Sequence, residues 1–266
     1  MLTQTFIHAP GIGPKTEQFF WNNDVRNWRD YLDRAKRGHL CSGRLRALPA
    51  VINASVSALA KGDVDFFFGA LPTTERWRLL STFRHRIGYV DIETTGLFRG
   101  FDTITVIALS DGHQTQTFVA GRNLDKFPKV AARYRLLVTY GGASFDIPFI
   151  NGAFGRFNPQ AYVDLRYPLA RLGLSGGLKE VERVIGMRRP RGIRELDGLD
   201  AALLWHRYQR GDHGALERLV EYARHDVLSL EPLADCVADL MPELLQLQRS
   251  DTEAEVGPRF HLQSIR

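Results

Sequence analysis

Two carboxylates one residue apart, at the end of an apolar run, are the residues best placed for chemistry. Asp91 and Glu93 follow the β-rich residues 87–90, and side chains at positions i and i+2 of a strand point to the same face. Adjacent carboxylates repel each other unless a cation lies between them. Because Mg²⁺ and Mn²⁺ prefer oxygen ligands, the pair predicts a divalent-metal site. A solvated acidic strand end is the structural alternative.

Three downstream residues could complete such a site. Asp146 follows a short predicted strand and a Gly-Gly break, and Tyr222 and Asp226 lie four residues apart in a segment with helical apolar spacing. Residues four apart share one face of a helix. Each residue also has a structural alternative. Asp146 could cap a helix that begins at Ile147. Tyr222 could be an aromatic residue at the edge of the core, and Asp226 could be a solvated acid.

The order and spacing of these residues resemble the DEDD exonuclease superfamily, the DnaQ-like branch of the ribonuclease H-like fold. A tyrosine four residues before the last aspartate is typical of its tyrosine-type subgroup, DEDDy. Over residues 84–245 the chain is similar to YprB-like ribonuclease H-like domain proteins, whose first two motifs resemble DIETTGL at 91–97 and YGGASFD at 140–146. Gly141 stands where relatives usually have an asparagine. The resemblance implies a 3′→5′ exonuclease that hydrolyses phosphodiester bonds.

The resemblance also implies a role for each residue. Two divalent ions roughly 4 Å apart, Mg²⁺ or Mn²⁺, would activate a water and stabilise the leaving oxygen. Asp91 would bind both ions, Glu93 and Asp226 would hold the ion that carries the water, and Asp146 would support the other. Tyr222 would orient the water, because a phenol with a pKa of about 10 is a poor base at neutral pH. Contacts to the terminal nucleotide are expected from Thr94, Thr95, Gly96, Leu97, Ser144 and Phe145.

The N-terminal region carries a second nucleic-acid signature. Residues 6–17 include Pro-Gly-Ile-Gly-Pro-Lys, which resembles the hairpin of a helix-hairpin-helix motif. Its glycines let backbone N–H groups face outward beside the start of the next helix, where they can bind phosphate without reading sequence. Gly11, Gly13 and Lys15 are therefore predicted to contact the nucleic-acid backbone. An ordinary glycine-rich bend is the alternative.

Composition permits these interpretations without proving them. The net charge of +5 and the pI near 9.3 suit a polyanionic partner. Cys41 and Cys236 are too few for a disulfide framework or a metal knuckle. With no membrane-spanning run and no signal-peptide pattern at the start of the chain, we expect a cytoplasmic protein with no membrane partner. Basic residues cluster at Lys36, Arg37, Arg44 and Arg46, and again at Arg183, Arg188, Arg189, Arg191 and Arg194. The second cluster could flank a substrate strand or be a solvated loop.

The element pattern predicts an α/β fold: a ribonuclease H-like mixed sheet flanked by helices and preceded by a small helical N-terminal domain. The expected limits are 1–83 for the helical region, 84–247 for the nuclease domain and 248–266 for a loose tail. Asp164 is expected to cap a helix that follows a strand at 162–163. Strands are predicted near 86–93, 103–110, 114–119 and 136–140. Helices are predicted near 124–133, 147–155, 165–172, 178–186, 199–210, 214–230 and 234–247.

Single-stranded DNA with a free 3′ end is the favoured substrate. RNA is a rival, because the chemistry does not depend on the sugar and no sensor for the 2′-OH is evident. A structure-selective endonuclease could use the same ions. A non-catalytic nucleic-acid binder would keep the hairpin and the basic loops, but the intact carboxylates argue against it.

Overall fold

The computed structural model describes residues 1–37, 45–155, 159 and 161–250, with residues 247–250 described by their backbone alone. The predictions for Cys41, for Arg44 and for the tail after residue 250 lie outside the described residues. The chain divides into two compact units. Among the described residues, one comprises Met1–Arg84 and the end of the last helix from Ala238, and the other comprises His85–Val237. The predicted domain limits at 83 and 247 stay predictions.

The described elements of the first unit are helices. Short 3₁₀ helices lie at Leu2–Gln4 and Thr73–Arg78. The α-helices are α1 (Pro14–Asn22), α2 (Trp28–Lys36), α3 (Leu48–Lys61), α4 (Val64–Ala70) and α5 (Leu79–Phe83). Their ends follow local chemistry. Pro14 occupies the first turn of α1, Asn27 and Asp30 form a reciprocal capping box at the start of α2, and Gly62 ends α3 in the left-handed conformation.

A buried ion pair anchors the N-terminal segment of this unit. The Glu17 carboxylate accepts hydrogen bonds from the backbone N–H groups of Phe6 and Ile7, at 2.6 and 3.0 Å. Arg78 Nη2 lies 2.8 Å from Glu17 Oε2, and Arg78 Nε lies 2.8 Å from Glu75 Oε2. These bonds satisfy charges that would be costly to bury alone. They hold the chain before the predicted hairpin against α1.

A five-stranded mixed sheet forms the centre of the second unit. Its strands are β1 (Ile87–Thr94), β2 (Ile104–Ser110), β3 (Thr115–Val119), β4 (Leu136–Thr139) and β5 (Tyr162–Asp164). The order is β3-β2-β1-β4-β5. β1 is antiparallel to β2 and parallel to β4, so it is the central strand. All seven residues of β2 are buried. The predicted α/β class and mixed sheet are confirmed.

Helices flank this sheet. They are α6 (Phe127–Ala131), α7 (Asp146–Phe154), α8 (Arg166–Arg171), α9 (Leu178–Val184) and α10 (Gly198–Gln209). The segment predicted as one helix at 124–133 is a 3₁₀ turn, Leu124–Lys126, followed by α6. Apolar side chains of β1 and β2, including Val90 and Ile107, pack with Phe127 and with Ile150 into one core cluster. The core therefore supports the strand that carries the first two carboxylates.

The last helix is longer than predicted. α11 (His213–Ser250) is continuous, so the predicted break between 230 and 234 is wrong. Pro232 lies in that interval and removes one hydrogen bond, to the carbonyl of Leu228. Leu228 lies on the exposed side of the helix, where water can satisfy that carbonyl. The buried side chains continue at helical spacing across the proline, at Val227, Leu230, Leu233, Ala234 and Val237.

Candidate active site

β1 and α11 bring three carboxylates together. Asp91 lies opposite Ala108 of β2, and Glu93 lies opposite Val106. The register shifts after Glu93, as in a β-bulge, which bends a strand and re-aims its side chains. Asp226 approaches from α11. One oxygen from each of the three acids lies within 4.8 Å of the other two. The side-chain alternation of β1 and the helical turn of α11 therefore place these three carboxylates in one cluster.

Asp146 lies beside this group but does not cap a helix. It is the first residue of α7, whose N-cap is Phe145 with no side-chain cap bond, so the capping alternative is wrong. Its carboxyl accepts hydrogen bonds from the backbone of Ile92 in β1 and from its own N–H. Its charge contributes to raising the pKa of Asp91 and of Glu93. The fourth predicted acid is thus electrostatically part of the cluster.

The carboxylates are poorly neutralised. Burial, and then the charges of Asp226 and other neighbouring acids, raises the pKa of Asp91 and of Glu93 well above the usual range. Burial raises the pKa of Asp146 and of Asp226 to about 7 each, although hydrogen bonds to Asp146 and the guanidinium beside Asp226 oppose the shifts. Buried acids that repel one another are the donor set that a divalent cation would stabilise. These residues therefore fit a divalent-metal site.

Arg189 and Glu182 also belong to this site, although the sequence did not assign them to it. Arg189 Nη2 lies 2.7 Å from Asp226 Oδ1, and Arg189 Nε lies 2.6 Å from Glu182 Oε2. Arg189 is only 6% exposed. Its side chain is therefore not the solvated loop residue of the structural alternative, and a role of its basic cluster beside a substrate strand stays a prediction. Because Glu182 and Arg189 lie seven residues apart across a predicted loop, no local pattern identifies the pair.

His225 completes a second group of possible ligands with Glu182 and Asp226. Its Nδ1 lies 3.7 Å from Glu182 Oε1. Burial lowers the pKa of His225 below its ordinary value, so the imidazole is neutral at neutral pH. The positive charge that pairs with the two acids of this second group is the Arg189 guanidinium.

Tyr222 lies one turn before Asp226 on α11. A hydrogen bond from its phenol to Asp226 helps to lower the pKa of that carboxyl. Burial, and then the charges of Asp226 and Glu93, raises the pKa of Tyr222 above its ordinary value. The phenol is therefore protonated at neutral pH, and it donates a hydrogen bond rather than accepting a proton. The Arg189 guanidinium carbon lies 5.3 Å from the centre of the Tyr222 ring, within range of a cation–π interaction.

A cleft of about 520 Å³ opens beside the acids. Its walls include Leu97 and Leu199, which are 75% and 72% exposed. Ser144 is not among the described lining residues, and its hydroxyl donates instead to the carbonyl of Gly141, at 3.2 Å. The lining brings together most of the predicted nucleotide contacts with the start of α10, namely Thr94, Thr95, Gly96, Leu97, Phe145, Asp197, Gly198, Leu199 and Ala202. The contribution of α10 had no signal in the sequence.

Asp102 organises the turn that follows β1. Its carboxylate accepts hydrogen bonds from the Thr95 hydroxyl and from the backbone N–H of Phe98, each at 2.8 Å. A Cβ at Gly96 would lie 2.6 Å from an Asp102 oxygen, so only glycine fits there. The turn is therefore held by several bonds, and its side chains are positioned for the cleft.

Asp164 shapes the loop of the second motif. Its Oδ1 accepts hydrogen bonds from the backbone N–H groups of Arg166 (3.0 Å) and Gly141 (2.7 Å), and its Oδ2 accepts one from Ala143. The predicted capping of α8 by Asp164 is wrong, because the N-cap of α8 is Leu165 and it has no side-chain cap bond; Asp164 binds the first N–H of α8 from the position before the cap. Gly141 has φ +74°, a left-handed conformation that glycine and asparagine tolerate better than other residues. Gly141 therefore adopts a backbone conformation that an asparagine could also adopt.

The predicted backbone contacts Gly11, Gly13 and Lys15 lie in the first unit. Gly11 has φ +79°, and a Cβ on either glycine would meet no atom within 4 Å. Gly13 is the N-cap of α1, and Lys15 is exposed. The element before this turn is only the 3₁₀ helix Leu2–Gln4, so the helix-hairpin-helix assignment stays a prediction.

Fold and site together define a nuclease-type hydrolase class. The chain belongs to the RNase H superfamily, because the family model with that description matches residues 88–238, more than half of the chain. No curated protein matches the sequence significantly. Among the described residues, no helix combines the length and the apolar character needed to cross a bilayer.

Similar solved structures include a DNA polymerase and the Brucella melitensis protein NrnC. The family B DNA polymerase of the archaeon Pyrobaculum calidifontis is 19% identical, with a TM-score of 0.46, over 61% of this chain but only 25% of the polymerase. Brucella melitensis NrnC with bound Mg²⁺ is 21% identical, with a TM-score of 0.42, over 68% of this chain and 94% of NrnC. Brucella melitensis NrnC bound to pGG is 22% identical, with a TM-score of 0.41, over 68% of this chain and 93% of that one.

Proposed function

We propose that this protein is a divalent-metal-dependent 3′→5′ exonuclease that hydrolyses phosphodiester bonds of nucleic acid, with single-stranded DNA as the favoured substrate. The observation that carries the proposal is the convergence of Asp91, Glu93 and Asp226, with one oxygen of each within 4.8 Å of the others. The 3′→5′ polarity rests on the resemblance to DEDD exonucleases. The DEDDy and YprB-like assignments rest on the motif order.

The acids would hold the metal. Asp91, Glu93 and Asp226 supply the ligand oxygens, and Asp146 lies beside them. Two ions, Mg²⁺ or Mn²⁺, would supply activation of a water and neutralisation of the phosphate charge. The remaining residues act by position. Arg189 holds Asp226 in place, and the protonated Tyr222 phenol is a hydrogen-bond donor at the edge of the cluster.

The cleft would bind the terminal nucleotide. Thr94 and Thr95 offer hydroxyl groups, whereas Leu97 and Phe145 offer apolar surface for a base. Because the turn at 95–103 is held by Asp102, these groups are ordered before substrate binds, which reduces the entropic cost of binding. In the first unit, Gly11, Gly13 and Lys15 would bind backbone phosphates without sequence preference.

A time course on end-labelled oligonucleotides tests the proposal. Single-stranded DNA and RNA of the same sequence are incubated with Mg²⁺, Mn²⁺ or EDTA, using the wild type and Asp91→Ala. The expected result is a metal-dependent ladder that shortens from the 3′ end and is absent in Asp91→Ala. A stronger ladder on RNA would reassign the favoured substrate. Internal fragments at early times would show an endonuclease, and tight binding with no product would show a non-catalytic binder.

A further inference from the structure

A second cavity lies beside the catalytic acids. It has a volume of about 690 Å³ and is lined by α9 and by the loop that follows it, residues 177–195. Arg189 lines this cavity, and the same side chain reaches Asp226. One arginine side chain therefore spans the distance from the cavity to the acids.

The cavity has an excess of positive charge. Its lining includes five cationic and three acidic side chains. Two of the acids are already paired, since Glu180 binds Arg183 in a bidentate pair and Glu182 binds Arg189. The remaining charged residues are Lys179, Arg188, Arg194 and Glu195. Among the described residues, none of these three cations forms an ion pair. Arg194 Nη2 donates a hydrogen bond to the Arg189 carbonyl at 3.4 Å, so the cavity presents cations that are not paired with an acid of the described residues.

Arg189 also has an unsatisfied donor. Its Nη1 is buried and has no hydrogen-bond partner among the described residues. A buried donor without an acceptor costs free energy, and arginine is well suited to phosphate oxygens. Arg189, which extends from the cavity to Asp226, therefore has one buried donor that lacks an acceptor among the described residues.

We propose that this cavity binds a backbone phosphate of the substrate strand, one nucleotide or more inward from the terminal nucleotide. The inference rests on the proposed nuclease function and specifies its substrate class. The cations at Arg188 and Arg194 give the enzyme an advantage on strands longer than a dinucleotide, because a dinucleotide held in the catalytic cleft has no phosphate that reaches the cavity.

The test compares two substrate lengths. The value of kcat/KM is measured for a dinucleotide and for an octanucleotide of the same terminal sequence, with Mg²⁺. The cavity variant is Arg188→Ser/Arg194→Ser, and the matched control is Arg133→Ser/Arg210→Ser, which removes the same charge from two exposed positions elsewhere in the second unit. The ratio of octanucleotide to dinucleotide kcat/KM is expected to fall about tenfold in the cavity variant and to stay at the wild-type value in the control. Equal ratios in all three proteins would overturn the proposal.

A binding measurement separates this proposal from the proposed function. Fluorescence anisotropy with a labelled octanucleotide in EDTA needs no hydrolysis, so it reports on the cavity even if the wild type cleaves neither substrate. The slope of log affinity against log salt is expected to become shallower by about 0.7 in the cavity variant, which loses one phosphate contact on a single strand. Affinity and slope that match those of the control variant would refute the cavity as a phosphate site.

Discussion

Arg189 Nη2 lies 2.7 Å from Asp226 Oδ1, so a catalytic candidate acid is paired with a built-in cation. The same guanidinium forms a bidentate pair with Glu182. This arrangement pairs one acid of the cluster and fixes its orientation, while the Arg189 charge only partly offsets the burial and repulsion that raise the pKa of Asp91 and of Glu93. This difference between Asp226 and the other two acids leads to specific predictions for the stability of variants.

Replacing Arg189 tests the buried pair. Arg189→Met keeps the apolar stem but leaves Glu182 and Asp226 buried without a cation. We expect the free energy of unfolding in EDTA to fall by about 3–5 kcal/mol. Arg189→Lys should lose less, because lysine keeps the charge but not the planar fork. Urea titrations followed by circular dichroism provide the measurement. A methionine variant as stable as the wild type would show that the pair contributes nothing to stability.

Amide substitutions of two acids should differ in the size of their effect. Asp91→Asn removes a charge whose neighbours repel it, so the metal-free protein at pH 8 should gain about 1 kcal/mol of stability. Asp226→Asn also removes a charge that the fold disfavours at this pH, since the pKa of Asp226 is raised to about 7, but it removes the partner of Arg189 as well, so its gain should be smaller. Both are compared with the wild type by urea titration in EDTA. A larger gain for Asp226→Asn than for Asp91→Asn would contradict this account of the cluster.

The pH dependence follows from the raised pKa values of about 7 for Asp146 and Asp226. Ordinary carboxyls titrate near pH 4, so between about pH 4 and 7 the folded state binds more protons than the unfolded state. This contribution to stability is therefore present at low pH and is lost as the pH rises through 7. In EDTA, the decrease in Tm from pH 5.5 to 8 should be smaller for Asp146→Asn than for the wild type.

A divalent metal ion should reverse this loss of stability at high pH. Because cations compete with protons for the same oxygens, Mg²⁺ or Mn²⁺ should raise the Tm more at pH 8 than at pH 5.5. Differential scanning calorimetry with and without EDTA measures both effects. A metal-induced shift that is the same at both pH values would be inconsistent with binding at these acids.

Tyr222→Phe separates orientation from proton transfer. The variant keeps the ring beside Arg189 but loses the hydroxyl. We expect kcat to fall by about 10²-fold with little change in KM. Because the pKa of Tyr222 is raised, the pH profile of the wild type should show no ionisation of this phenol near neutral pH. If the substitution removes a limb of the profile between pH 6 and 9, Tyr222 acts as a base.

Lys15→Glu tests the N-terminal hairpin. The substitution should weaken binding of a labelled oligonucleotide, because an exposed cation becomes an anion beside the predicted phosphate contact. Cleavage of a short oligomer at saturating concentration should change little. Affinity is measured across a salt series, with Lys129→Glu as the charge-matched control. Equal affinities of the wild type and Lys15→Glu at every salt concentration would exclude this role.

Local periodicity determined much of the site. Asp91 and Glu93 share a face because strands alternate with a period of two, and Tyr222 and Asp226 share a face because a helix turns every 3.6 residues. The mixed sheet follows from the same short-range patterns. Even here the tertiary structure changed the outcome, because the packing of buried apolar residues on both sides of Pro232 keeps α11 helical across the predicted break.

Only the tertiary structure decided which charges meet. Arg189 lies in a predicted loop, where no period tells a buried residue from a solvated one, and its pairing with Asp226 joins segments that are far apart in sequence. The hydrogen bond from the Gly141 N–H to Asp164 is of the same kind. Such contacts depend on how helices and loops pack onto the sheet. The sequence by itself determined which acids could bind metal, and the packing determined that Arg189 pairs with one of them.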